Sequence, residues 1–304
     1  MIPLVFHPIY SQLDLPERHR FPIQKYQGIY DRLRQEGIGS GQFIRPKPLH
    51  PGRINGALCP DYVSRFSSGT LDGAAVRRIG FPWSDQLVRR TLTAVAGTVL
   101  AGVLSLEKGR ALHLTGGYHH GFYDHGAGFC IINDLYLSAL NLLDKPGIGR
   151  LLIFDCDVHQ GDGTARLATG NDRIFTVSIH GEKNFPFRKQ VSDLDVPLPK
   201  GTRDDQYLAC VEATLSAAVD RFRPDAVIYD AGVDIHIDDD LGHFDITSDG
   251  VLARDRLVFE HCDRAGLPVS AVIGGGYQRN IPALVDVHLN LFRAGLGAEF
   301  DGLQ

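Results

Sequence analysis

An α/β fold with a central, mostly parallel sheet and helices on both faces is what this sequence predicts, on three observations. Short apolar segments alternate with amphipathic ones along the whole of the 304 residues. Most of the apolar segments are continuous rather than alternating, as befits strands covered on both faces. No linker rich in Pro, Gly or Ser and no internal repeat divides the chain, so one domain over residues 1–304 is expected.

In chain order, the strands are expected at "PLVF" (3–6), "ALHLT" (111–115), "RLLIFD" (150–155), "RIFTVSI" (173–179), "DAVIYD" (225–230) and "VSAVIG" (269–274). Between them helical spacing marks 85–106, 130–143, 204–222, 249–265 and 280–294. In "DDQYLACVEATLSAAVDRF" the apolar residues recur every three or four positions, and Asp204 is placed to cap the helix.

Composition narrows the classes. Hydrophobic residues make up 43% and charged ones 22%, ordinary for a folded protein with a sizeable core. The net charge is −5 and no Lys/Arg run tracks phosphates, so no nucleic-acid partner is expected. The cysteines, Cys59, Cys130, Cys156, Cys210 and Cys262, are odd in number, scattered and without a CxxC, which points to a reduced interior. The opening "MIPLVFHPIYSQLD" lacks the basic and apolar regions of a signal peptide, and no uninterrupted apolar run nears the ~18 residues of a membrane span. A cytoplasmic location without a membrane span is the expectation.

Function in an open α/β sheet gathers at the carboxyl ends of the strands. Four tails there are unusually polar: "GGYHHGFYDHGAGF", "DCDVHQGDG", "AGVDIHIDDDLG" and "GGGYQRN". In extended chain Asp157 and His159 project together, and Asp155 joins them if the strand persists. Asp234 ends a neighbouring strand. Two carboxylates and one imidazole, with a position left open, are the donor set of a catalytic divalent metal. Alternatively, Asp155 and Asp157 cap the next helix and His159 is a loop histidine; the four tails together favour the metal. The adjacent His119 and His120 suit proton transfer more than chelation, with Asp155 and Asp162 as spare carboxylates to orient them. The bland alternative is that both histidines pack a glycine loop. Tyr277, after three glycines, can donate to a polarised carbonyl, although a Tyr there is more often a packing residue. Together these parts describe metal-assisted hydrolysis. No GxSxG, GK[ST] or GxGxxG after the first strand offers a nucleophile elbow or a phosphate cradle.

The constellation resembles the histone deacetylase family of the arginase/deacetylase fold. "GGYHHGFYDHGAGFC", "DCDVHQGDG", "AGVD" and "GGGYQ" stand in that family's order and spacing, and the likeness runs from "HRFPIQKY" to "LNLF" at 289–292. "GFPWS" (80–84), "GTRDDQYL" (201–208), "ARDRLVF" (253–259) and "GGYQ" are similar to its class IV branch. The resemblance implies one Zn2+ on Asp157, His159 and Asp234, with Fe2+ or Co2+ as other ions suited to such a site. It implies His120 as general base and acid backed by Asp162, His119 paired with Asp155, and Tyr277 polarising the acyl carbonyl. It implies the Gly128 carbonyl on the substrate amide, Phe129 along the acyl tunnel, and a K+ site from Asp155, Asp157, His159, Ser178 and Ile179. The opposite tunnel wall falls in "GEKNFPFRKQ" (181–190), on Phe185 or Phe187. Where many members carry Asp-Pro-Leu-Gly, this chain has "DDLG" (239–242).

The implied reaction is hydrolysis of an N-acyl amide. The substrate expected is an acyl-lysine protein or peptide, with long-chain acyl groups raised by the class IV likeness. A small acylated amine such as an acetylpolyamine is the alternative, because the acidic run "DIHIDDD" (234–240) would attract a cation if it is more than a solvated loop. A binuclear manganese hydrolase on the same fold, and a silent acyl-lysine binding module, are the remaining readings.

Overall fold

The strands line up by one rule, that their apolar runs be covered on both sides. In the computed structural model, which describes residues 1–54 and 56–301, they are β1 (Leu4–Val5), β2 (Phe43–Ile44), β3 (Arg110–His113), β4 (Leu151–Asp155), β5 (Ile174–Gly181), β6 (Leu194–Leu198), β7 (Ala226–Asp230) and β8 (Val269–Val272). They form one eight-stranded sheet in the order β2-β1-β3-β8-β7-β4-β5-β6, and every pairing is parallel.

Helices cover both faces: α1 (Lys25–Gln35), α2 (Pro60–Ser68), α3 (Gly73–Ile79), α4 (Asp85–Lys108), α5 (Asp134–Leu143), α6 (Asp162–Ala168), α7 (Asp204–Phe222), α8 (Ser248–Ala265) and α9 (Ile281–Leu296). The alternation of strand side chains decides what each face buries. Leu151 and Ile153 of β4, with Ala226 and Ile228 of β7, pack on Leu135, Ala139 and Leu142 of α5. Leu152, Phe154, Val227 and Tyr229 join the core of the other face with Val211 and Leu215 of α7 and Phe259 of α8. These side chains are fully or almost fully buried, and each Val, Leu, Ile and Phe among them is worth about 1.5–3 kcal/mol relative to exposure.

Local chemistry sets the helix ends. Ser84 caps α4 by accepting from Leu87 N–H, and Gly109 at φ +78° ends it. Asn280 caps α9, with Pro282 in its first turn. The expected cap on α7 is corrected: Arg203 is the flanking residue and Asp204 opens the helix. The Asp204 carboxylate instead accepts from Thr247 N–H (2.9 Å) and its hydroxyl (2.6 Å), joining α7 to the start of α8. The helix expected from 130 starts at Asp134, after the Asn133 cap. By length and composition α4 resembles a membrane span, yet its sides pack against α5, β3 and β8. The five cysteines are free.

Sequence patterning did not indicate β2, β6, α1, α2, α3 or α6. β1 and β2 are two residues long, too short for a period. β6 is an edge strand carrying Asp195 and Pro197, as its open side permits.

Candidate active site

The four polar tails leave β3, β8, β7 and β4, which are consecutive neighbours in the sheet. Parallel pairing therefore brings their carboxyl ends to one edge. β4 stops at Asp155, and the chain turns there, so Asp155 does not join Asp157 and His159 as an unbroken strand would require. Asp157, His159 and Asp234 converge instead. His159 Nδ1 lies 3.0 Å from Asp157 Oδ1 and 3.0 Å from Asp234 Oδ2. All three are buried, Asp157 at 2% exposure and Asp234 at 0%. Backbone donors fix the carboxylates: Gly275 N–H to Asp157 Oδ2 (2.8 Å) and Val158 N–H to Asp234 Oδ1 (2.9 Å). Gly275 has to be glycine, because a Cβ there would collide with Asp234 Oδ2 and Asp157 Oδ2. Burial opposes a charge on His159, but Asp157 and Asp234 outweigh it and push its pKa up to about 10. Two buried carboxylates gathered around one imidazole are a donor set that fits a divalent cation.

Beside it, His119 Nδ1 lies 2.7 Å from Asp155 Oδ2, and His120 Nδ1 lies 2.6 Å from Asp162 Oδ1. The rings are 4.2 Å apart and buried. Their environments separate them. Burial opposes a charge on His119, but Asp155 and then Asp157 prevail and its pKa is raised well above normal. Burial, then the neighbouring His119, lower His120 to about 4 against the pull of Asp162. His119 therefore carries the charge near neutral pH, and His120 is a neutral base whose Nε2 is left open.

Gly128 and Phe129 adopt φ +51° and +67°, a turn closed by two hydrogen bonds between Ala127 and Cys130. It is held to α3 by Gly128 N–H to Arg78 O (3.2 Å) and Phe129 N–H to Ile79 O (2.8 Å). A left-handed Phe is uncommon, and this one lines the pocket between Phe21, at 5.3 Å, and Tyr277, at 5.9 Å. Of the two candidates for the facing wall, Phe185 stands edge-on to His120 at 4.8 Å, whereas Phe187 is 93% exposed. Tyr277 lies 6.2 Å from the His159 ring, its N–H donating to Asp239 Oδ2 (2.6 Å). Burial, with Asp157 and Asp234 adding to it, holds its phenol protonated. Ser178 faces Asp155 across the β4–β5 ladder, and Ile179 follows it, fully buried.

Several supporting residues went unnoticed in the sequence. Arg254, at 0% exposure, donates through Nη1 to Gly232 O (2.6 Å) and through Nη2 to Ala231 O (3.1 Å), just ahead of Asp234. Its Nε bonds Asp255 Oδ1 (2.9 Å), which also accepts from the Tyr229 hydroxyl (2.6 Å). The signal was present in "VLARDRLVF": Arg254 and Asp255 fall on the helix face of Val251, Val258 and Phe259. Lys25 Nζ, 1% exposed, lies 3.3 Å from the carbonyls of Gly274 and Gly276, on the turn before Tyr277. Asp230 is fully buried, its Oδ2 3.9 Å from His119 Nδ1 and neither oxygen hydrogen-bonded.

The acidic run after Asp234 is split: Asp238 and Asp240 are exposed and Asp239 is buried. Asp239 is 9% exposed and accepts from the N–H groups of Tyr277, Leu241 and Gly242. Asp240 pairs with Arg279 at 3.0 Å, leaving Asp238 to solvent. His236 is turned to Ser248, the Asp238 N–H and Gln278, away from Asp157.

A family profile described as the histone deacetylase domain matches residues 19–291. An uncharacterised protein of Picosynechococcus sp. is 46% identical over 294 residues, covering 96% of this chain and 97% of that protein. Histone deacetylase 2 of Arabidopsis thaliana is 34% identical over 300 residues, covering 94% of this chain and 77% of that one. The crystal structure of the HDA15 HD domain has the same fold, with a TM-score of 0.82 at 20% identity over 99% of this chain and 93% of that one. With the motifs in order and the profile spanning nearly the whole sheet, the chain belongs to the histone deacetylase family and carries its arginase/deacetylase-like α/β fold.

Proposed function

We propose that this hydrolase removes the acyl group from an acyl-lysine in a protein or peptide, with one Zn2+ held by Asp157, His159 and Asp234. The observation that carries the reading is the convergence of that buried donor set with the His120–Asp162 and His119–Asp155 pairs and the Tyr277 phenol. Asp157, His159 and Asp234 would hold the ion, whose chemistry when bound would be to lower the pKa of a water to about 7 and polarise the acyl carbonyl. His120 Nε2 takes the proton as the water adds to the carbonyl carbon, and returns it to the departing lysine nitrogen as the C–N bond breaks. Asp162 on Nδ1 keeps that ring in the tautomer with Nε2 free. His119 supplies fixed positive charge beside the carbonyl oxygen, and the Tyr277 hydroxyl donates to it as negative charge grows. The Gly128 carbonyl accepts the amide N–H, while Phe129 and Phe185 wall off water from the acyl chain. Asp155, Asp157, His159, Ser178 and Ile179 would hold K+ as a structural ion.

Acyl-lysine is preferred to an acetylpolyamine because most carboxylates of the acidic run are engaged: Asp239 binds three backbone donors and Asp240 faces Arg279, which leaves Asp238 alone to draw a cation. The manganese pair is disfavoured by His236, which is engaged elsewhere. The class IV likeness makes long acyl chains the finer assignment. The test is an acyl-length series on one lysine peptide, from acetyl to myristoyl, with N8-acetylspermidine alongside and a chelator control. Turnover of the peptides that the chelator abolishes is the expected result. Faster turnover of the polyamine, or activity indifferent to the chelator, would sink the reading.

A further inference from the structure

A hollow of about 610 Å³ opens beside the acyl pocket, lined by Glu17, Arg18, His19, Arg20, Gln278 and Arg279 among others. It abuts the site. Gln278 and Arg279 directly follow Tyr277, and His19 stacks on Phe81 at 5.5 Å and stands edge-on to Phe129 at 5.9 Å. His19 also fixes the turn that carries its neighbours. Its Nδ1 accepts from Phe21 N–H (3.1 Å), so Nε2 bears the proton and donates to Gly80 O (2.8 Å). With that ring turned inward, Arg18 and Arg20 are exposed on either side of it.

The charge here is the reverse of the whole. The chain is net −5, yet three guanidinium groups and one carboxylate, Glu17, line the hollow. Arg279 meets Asp240 through Nε, whereas Arg18 and Arg20 have no ion-pair partner among the described residues. A guanidinium offers a planar fork of donors that matches a carboxylate.

We propose that this hollow is a specificity subsite for an acidic side chain lying close to the acyl-lysine on the same polypeptide. The inference rests on the acyl-lysine reading. An acyl-lysine in the pocket leaves its backbone at the mouth, and at about 3.3 Å per extended residue the side chains one to three positions away come within about 10 Å. An aspartate or glutamate there meets Arg18 and Arg20, whereas a cationic substrate is repelled. The subsite therefore selects among protein substrates and disfavours free polyamines.

The test uses the full chain loaded with Zn2+ and peptides with one acyl-lysine flanked by acidic, neutral or basic residues. Expected is a KM lower by about 3- to 10-fold for acidic than for neutral flanks, with kcat unchanged and the advantage shrinking at high salt. The double variant Arg18→Ala/Arg20→Ala should lose that preference and keep its kcat/KM on the neutral peptide within about twofold. Affinity is read separately, by fluorescence anisotropy of labelled peptides on the His120→Ala variant. Equal affinity for acidic and neutral peptides, or a preference that survives the double variant, overturns the subsite. Absence of turnover from every peptide overturns the deacylase reading instead, and the anisotropy contrast still judges the hollow.

Discussion

Asp157 and Asp234 stand at the ends of neighbouring strands and are almost wholly buried, while Phe187, on the loop beyond β5, is 93% exposed. At the floor of the site each charged group is placed by strand register and then held by a backbone donor or a buried partner, as Gly275 holds Asp157 and Arg254 holds the carbonyls before Asp234. At the mouth, Phe185, Arg18 and Arg20 sit on exposed turns outside the sheet. The contrast assigns chemistry to the floor and choice of substrate to the mouth, since rigid strands carry geometry and loops tolerate change.

The largest breach of that contrast is at the floor itself. Asp157→Ala or Asp234→Ala should abolish stoichiometric zinc, measured as metal per chain, and lower kcat/KM by at least about 10³-fold. Next, His120→Ala and Tyr277→Phe should each lower kcat by about 10²- to 10⁴-fold with metal content near wild type; full activity in either would remove its assigned role. Arg254→Lys keeps a positive charge beside Asp255 but cannot span two carbonyls. It should weaken zinc by about 10- to 100-fold in chelator competition. Arg254→Ala, which leaves Asp255 buried and unpaired, should cost about 3–5 kcal/mol in denaturant unfolding.

Asp162→Asn tests a smaller effect with a definite sign. His120 works as a base when unprotonated, so rate is lost as pH falls through its pKa, lowered to about 4 by burial and by His119. Asp162 raises that pKa, so its removal should move the acid limb of kcat/KM to lower pH and weaken the base. The smallest effect belongs to the mouth: Phe187→Ala should change stability by less than about 0.5 kcal/mol and leave acetyl-lysine turnover near wild type.

The floor was readable because its residues sit in contiguous motifs at strand ends, where the period of two and the neighbouring glycines declare themselves. Asp157 and His159 of "DCDVH" lie together in the structure even though β4 ends at Asp155. What escaped reading depends on contacts between distant segments. Lys25 meets Gly274 and Gly276 across some 250 residues of chain, and nothing in "IQKYQG" declares it. Asp239 looked like its neighbours in an acidic run, yet burial alone separates it from Asp238. Short elements such as β2 and α6 lack the length for a periodic signal, and Arg203 displaced Asp204 as a cap because Asp204 had a better use at Thr247.

The reach of Lys25 has a consequence for how the protein is made. A ribosome delivers the first helix long before residues 274–276, so the turn that aims Tyr277 cannot be clamped until almost the whole chain has emerged. The assembled site is thus a late event in biogenesis, and a nascent fragment that ends just after "DCDVHQGDG" holds Asp157 and His159 with neither Asp234 nor Tyr277 beside them.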